Sequence, residues 1–328
     1  MKRTGIWLSL AVLIGLTAFD ALAQSVFSSV FAKPGLINYT EGRVLLNDEA
    51  VRTGIGGFPE ARAQEVATAQ DGGAKAILSG SGILQAAELA AIRLETGRFP
   101  RMLPQDVLTA EEGRAEVLLN AGSFLRIGEN SSVRLVSDSS SHPSYEVVSG
   151  SSVLEVAEFH KDAPLTILCK GAAISPVKGG VFRVDADPAG LRVFDGEALV
   201  QAGGKQIRVG KGKMLALDGS WTIAKFNPDR TDGLDRWIGR RVEHLAMANI
   251  PLARSAAGYS QGCYTGLWSL NLYSGTMTYV PCNGIYRSHY GYNFYSYAKV
   301  LPLYTHGNDA PADTLERVPP FPPYVADR

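Results

Sequence analysis

The nearest approach to a catalytic constellation among the 328 residues is the stretch Glu158-Phe159-His160-Lys161-Asp162. On an extended strand positions 158, 160 and 162 point to one side, so an imidazole and two carboxylates would share a face, the makings of an acid/base or metal site. A wet strand end running into a turn is the preferred account, because three polar residues beside a loop need no further cause. His142, His244, His289 and His306 sit in scattered settings, and no Gly-x-Ser-x-Gly elbow sets a nucleophile beside a base. Glu111 and Glu112 are adjacent, so on a strand they face opposite ways and cannot flank one substrate. The basic run 203–213 has Lys205 and Gly212 where a phosphate loop needs Gly and a hydroxyl residue, and it reads as two hairpin turns. These residues give no reason to expect an enzyme or a cofactor.

Binding chemistry is better represented. Residues 259–304 hold ten of the thirteen tyrosines, with Trp268 and Phe294, no acidic residue, and only Arg287 and Lys299 as strong bases. Tyr264, Trp268, Tyr273, Tyr290, Tyr292 and Tyr295 form the candidate interaction surface, since Tyr and Trp combine large contact area with a polar handle. Such rings suit an unknown protein partner or a cell-envelope glycan alike. A second reading stands beside this one, in which the aromatics simply cover the rest of the fold. Cys263 and Cys282 lie in the same segment and are candidates to pair in an oxidising compartment, a link worth about 3 kcal/mol by loop entropy. Cys169, within LTILCKG, reads as a buried strand thiol; without C-x-x-C or a histidine at ligand spacing, no metal site is expected.

Charge and the N-terminus bound the partners. Lys plus Arg and Asp plus Glu number 32 each, so no sequence-wide positive field attracts nucleic acid. Lys2 and Arg3 precede an apolar run at 6–16, and Ala21-Leu22-Ala23 stands before Gln24, the layout of a secretory signal peptide over residues 1–23. A spanning helix needs about 20 apolar residues, and Thr17 and Asp20 interrupt this run. Cleavage after about Ala23 is expected to leave a periplasmic or extracellular chain with no stable transmembrane segment. An uncleaved N-terminus anchored in the inner membrane is the alternative.

The elements that would position these groups are mainly strands. Residues 36–51 read as a strand pair with turns at Glu41-Gly42 and Asn47-Asp48. The Ala-rich insertion at about 54–99 reads as one or two helices or a flexible stretch. From residue 103 to 219, short apolar runs alternate with Gly, Asn and Asp at near-regular spacing, which predicts an antiparallel sandwich or roll of many short strands. In SVRLVS, Val133 and Leu135 oppose Arg134, and in GVFRV, Phe182 and Val184 oppose Arg183, so one face is expected buried and one wet. Glu41-Gly42-Arg43 and Glu112-Gly113-Arg114 are a weak internal echo, for which chance recurrence and duplication both remain open. An amphipathic helix is expected at 229–250, with Leu234, Trp237, Ile238, Val242 and Leu245 on one face, Pro251 at its end, and Arg236, Arg240 and Arg241 on a solvated face. The Pro-rich tail 305–328 reads as extended or disordered.

The order of turns and strands in LPQDVLTAEEGRAEVLLNAGSFLRIGENSSVRLVS, VVSGSSVLEVAEF, LTILCKGAAISPVKGGVFRVDAD and LRVFDGEALVQAGGKQIRVGKGKMLALDG resembles the FecR domain family of exported bacterial proteins. Gly122-Ser123 stands for its strand-joining turn, Gly180 for the Gly before its aromatic-bearing strand, and Asp195-Gly196 for a later hairpin. NYTEGRVLLND looks like the opening strands, giving a FecR-like β domain over 36–219 interrupted by the insertion. The resemblance implies an all-β module that passes or receives protein signals and carries no catalytic residue. Only five residues precede the apolar run, so a cytoplasmic arm of the kind that holds a sigma factor is not expected.

Overall fold

The computed structural model describes residues 29–30, 34–51, 53, 99–256, 265–271 and 274–305. The first 23 residues, positions 54–98 of the insertion, and the tail after residue 305 lie outside them, as do Cys263, Tyr264 and Tyr273. The chain enters through a two-residue strand, β1 (Ser29–Val30), and continues as β2 (Leu36–Leu46), which turns at Asn47 and Asp48 into β3 (Glu49–Ala50). Both turn residues have positive φ, 50° and 68°, which Asn and Asp tolerate in tight hairpins.

Two long strand pairs shape the rest. β2 pairs along its length with β4 (Val107–Leu118), and β10 (Ala172–Ala186) pairs with β11 (Ala189–Ala202). Each pair is bent where two glycines meet. Gly42 lies opposite Gly113; a Cβ on either would sit 2.2 Å from a carbonyl oxygen of the other strand, Glu112 or Glu41. Only residues without a Cβ let these backbones approach so closely. At the second bend, a Cβ on Gly180 would lie 2.1 Å from the Asp195 oxygen and one on Gly196 would lie 2.4 Å from the Gly179 oxygen. The turn expected at Glu41-Gly42 and the hairpin expected at Asp195-Gly196 are therefore corrected: both are bends inside one strand. The Glu-Gly-Arg echo is the two sides of a single crossing, with Glu41 opposite Arg114 and Arg43 bonded to Glu111 at 2.8 Å.

The bends fold one hydrogen-bonded network into two layers. Sheet I runs through the first half of β2, the second half of β4, β5 (Ser123–Ile127), β8 (Ser151–Val156), the second half of β10, the first half of β11, β13 (Lys213–Ala216) and β14 (Ile223–Lys225). Sheet II takes the other halves of the long strands together with β6 (Ser131–Ser137), β7 (Ser144–Ser149), β9 (Thr166–Cys169) and β12 (Lys205–Gly210). Among the described residues every pairing is antiparallel except that of β7 with β9. This is the mainly β roll expected from the strand-and-turn pattern. The main core lies between the sheets, where Phe182, Val184 and Cys169 are each 0% exposed.

Sheet II keeps the alternation of a half-wet sheet: Val133 and Leu135 point inward while Arg134 is half-exposed beside Glu146 at 2.6 Å. Sheet I does not. All five residues of β5 are buried, and β8 is buried from Ser152 to Val156. The cause is a second layer on its outer face, built from α1 (Gly233–Ser255) and the Tyr-rich segment. Arg183, expected wet, is 7% exposed because the helix start covers it; it meets Asp185 at 3.0 Å and Asp232 at 2.6 Å. Asp232 caps α1 reciprocally with Asp235, satisfying two end amides.

The five apolar residues named for α1 are all buried. Two expectations for it are corrected. Pro251 lies inside the helix, which runs on to Ser255 because Leu252 and Ala253 are drawn into an apolar cluster with Leu267, Val280 and Val300. Arg241, expected on the solvated face, is 8% exposed and faces sheet I. The Tyr-rich segment supplies β15 (Leu267–Asn271) and β16 (Thr276–Val280), which join β1 in a small sheet, then the hairpin β17 (Ile285–Arg287) and β18 (Asn293–Tyr295), then α2 (Tyr297–Val300) and α3 (Pro302–Thr305). No helix among the described residues is long and apolar enough to cross a membrane.

Candidate functional site

The outer face of sheet I carries charges that its strands place side by side. Glu116 on β4 stands directly opposite Arg126 on β5, and Arg126 bridges to Glu155 on β8, with contacts of 2.9 and 2.6 Å. All three are at most 1% exposed. Such burial is tolerable only when each charge is matched and hydrogen-bonded, and the second layer supplies further partners, leaving Arg126 Nη2 without a hydrogen bond among the described residues. Arg241 of α1 reaches Glu116 at 3.1 Å, and Tyr286 and Ser288 both donate hydroxyl bonds to Glu155. Asn38 donates to Glu116 and to the Met277 carbonyl and accepts from the Met277 amide, so its side chain stands in for a missing strand along the edge of β16. Asn249 of α1 does the same between Tyr279 and Tyr295.

Electrostatics follow from these contacts. Burial alone would raise the Glu116 carboxyl, yet Arg241, Arg126 and Asn38 together hold it below its usual value. Burial, reinforced by Glu158 for Tyr279 and by Glu155 for Tyr286, pushes both phenols far above theirs. A carboxyl held low contributes stability that is lost as pH falls through the carboxylate range. A phenol held high contributes stability that is lost as pH rises past about 10, where the unfolded chain ionises. We therefore expect a flat stability profile between about pH 5 and 9.5 with losses on both sides, read from urea midpoints. A steep change between about pH 6 and 8, where histidines titrate, would contradict it.

Beside this cluster lies a groove of about 450 Å³ between the first half of β2 and the outer side of α1. Arg241 joins the two, its guanidinium 4.3 Å from the Tyr39 ring centre while its Nε bonds Glu116. Trp237 stacks on Tyr39 at 6.4 Å and donates its indole N–H to Glu41 at 2.8 Å. Arg240 and His244 form an exposed rim. The His244 Nδ1–H donates to the Arg240 carbonyl at 2.7 Å. Met247, Ala248 and Pro251 continue the apolar wall. The groove thus offers the half-buried Tyr39 ring and apolar surface beside the Arg240 charge, with Trp237 only 3% exposed at its base, a combination suited to binding.

The sequence-derived site residues fall differently. Trp268 is 1% exposed and packs edge-on against Phe124 at 4.8 Å, so it is core and is withdrawn from the contact surface. Tyr290, Tyr292 and Tyr295 are half-buried and pack against the second layer's apolar clusters. Tyr264, Tyr273 and Cys263 lie outside the described residues; Cys282 is half-buried just after β16. His160 approaches Glu158 at 3.6 Å beyond the end of β8. Glu158 is already engaged by the Tyr279 hydroxyl at 2.7 Å and the Gly266 amide at 2.8 Å, and Asp162 is exposed on the following turn. No group of three potential metal ligands occurs among the described residues.

Glu116, Arg126, Glu155 and Asn38 were missed by sequence reasoning. The available signal was a charge or amide inside a near-continuous apolar run, as in AEVLL, FLRI, VLEV and LINY, where a strand buried on both faces has no wet side to hold it.

Residues 105–199 match the family described as FecR protein. That span runs from just before β4 into β11 and so contains the second bend, the Gly113 side of the first, and Glu116, Arg126 and Glu155. Two crystal structures of a candidate anti-sigma factor from Parabacteroides distasonis, at 2.50 and 1.65 Å resolution, are similar at 19% and 16% identity with TM-scores of 0.32 and 0.33. The similarities cover 36% and 40% of this chain and 57% and 62% of those chains, less than two thirds of either. No curated protein matches.

Proposed function

We propose, with the FecR match over residues 105–199 as premise, that the chain is an exported, non-enzymatic β module that binds a protein partner in envelope signalling. FecR proteins are a regulatory, signalling-associated family. The observation that carries the binding role is the groove beside Tyr39 and Trp237, because the outer face of sheet I is already covered from within the chain. The leader-like residues 1–23 support export. Cell fractionation with N-terminal sequencing tests that part: recovery outside the cytosol with the leader removed supports it, and cytosolic recovery with the N-terminus intact ends it. In-cell crosslinking of the exported chain tests the binding part, with one protein captured at the groove as the expected result and no protein captured as the contrary one. An oxidising compartment also makes Cys263 paired with Cys282 the expected result of non-reducing peptide mapping. Free thiols at both positions would contradict it.

A further inference from the structure

The groove has an occupant within reach. Val300 is 0% exposed and packs against Leu252 and Ala253, directly after the groove residue Pro251. The described residues end five positions later, at Thr305, and 23 residues follow. They contain Val318-Pro319-Pro320-Phe321-Pro322-Pro323-Tyr324. Four prolines in this pattern favour a polyproline II helix, and such helices dock into grooves lined by aromatic side chains at low entropic cost. The thirteen residues from 306 to 318 reach about 40 Å when extended at about 3.1 Å each. The stretch of α1 from Trp237 to Pro251 is only about 21 Å long at about 1.5 Å per residue.

Charge and hydrogen bonding agree. Arg240 has no ion-pair partner among the described residues, while the tail carries Asp309, Asp313, Glu316 and Asp327 against Arg317 and Arg328. The Tyr39 hydroxyl makes no hydrogen bond among the described residues, and burial followed by the Glu41 charge keeps it protonated. It can therefore donate to the exposed carbonyls of a polyproline segment. We infer that residues 318–324 dock in cis into the groove between Tyr39 and α1, so that a partner gains the groove by displacing the chain's own tail. This goes beyond the signalling proposal, since cis docking requires neither export nor a partner, and either can fail alone.

The test uses the purified full chain with Phe321 replaced by a benzophenone amino acid, irradiated at low concentration and mapped by mass spectrometry. The expected result is an intramolecular crosslink to peptides holding the groove-lining residues 39–41, 237–251 or 271–276. Its yield should fall about tenfold in Arg240→Glu, which sets like charge against the acidic tail, and similarly when Pro319, Pro320, Pro322 and Pro323 are all changed to Ser. Arg240 is exposed, so an unchanged thermal midpoint in Arg240→Glu verifies the fold. Crosslinks within residues 54–98, crosslinks between two chains, crosslinks elsewhere on the fold, or none at all would each overturn the inference.

Discussion

Replacing Arg126 with alanine is expected to destabilise the fold by about 3–5 kcal/mol, the cost of breaking a buried ion pair from one side. Arg126 is 0% exposed and is the link between Glu116 and Glu155. Its removal leaves Glu155 with only the two hydroxyl donors Tyr286 and Ser288, and leaves Glu116 with Arg241 and Asn38. Glu155 then lacks a countercharge while remaining buried. The loss should appear as a lowered urea midpoint. A companion variant separates charge from packing: changing Glu116, Arg126, Glu155 and Arg241 together to Leu, Met, Leu and Met removes all four charges of the cluster, Arg241 included because Glu116 is its ion-pair partner, and is expected to lose less stability than Arg126→Ala. An equal loss in both variants would mean that shape, rather than charge, is what Arg126 supplies.

The second large effect is expected at Phe182. Its ring is 0% exposed in the main core, opposite Leu154 on one side and Val193 on the other. Phe182→Ala removes a large side chain from between two sheets anchored at shared glycine bends, so the cavity has little freedom to collapse. The expected cost is about 3–5 kcal/mol. A change below about 1 kcal/mol, typical of surface sites, would place the ring outside the core.

How far the fold was legible follows from the same residues. Alternation in SVRLVS showed a half-wet strand, and sheet II is such a sheet. The same reasoning misplaced Arg183, since a period of two states which side a residue faces and says nothing of what covers that side. Turn glycines were equally double-edged. Gly42 and Gly196 marked real events, yet a glycine that permits a turn also permits two backbones to cross, and only the partner strand decides which. The buried helix face was readable from its spacing, whereas Arg241 was not, because its partner Glu116 is 125 positions away. Composition left a binding surface and a cover for the fold equally open for the Tyr-rich segment; Trp268, Tyr279 and Phe294 lie in the second core. The groove was unreadable for a related reason: Tyr39 and Trp237 meet only after β2 and α1 pack together.

The central claim is that the Tyr-rich segment is a fixed layer of the same folded body as the FecR-matched sheet. Native-state hydrogen exchange of the full chain tests it most directly, comparing the amides of β16 with those of β5. Buried strands of one cooperative unit open with similar free energies. The expected result is slow exchange of matching protection in Thr276–Val280 and Ser123–Ile127; β16 exchanging at the rate of an unstructured peptide while β5 stays protected would contradict it.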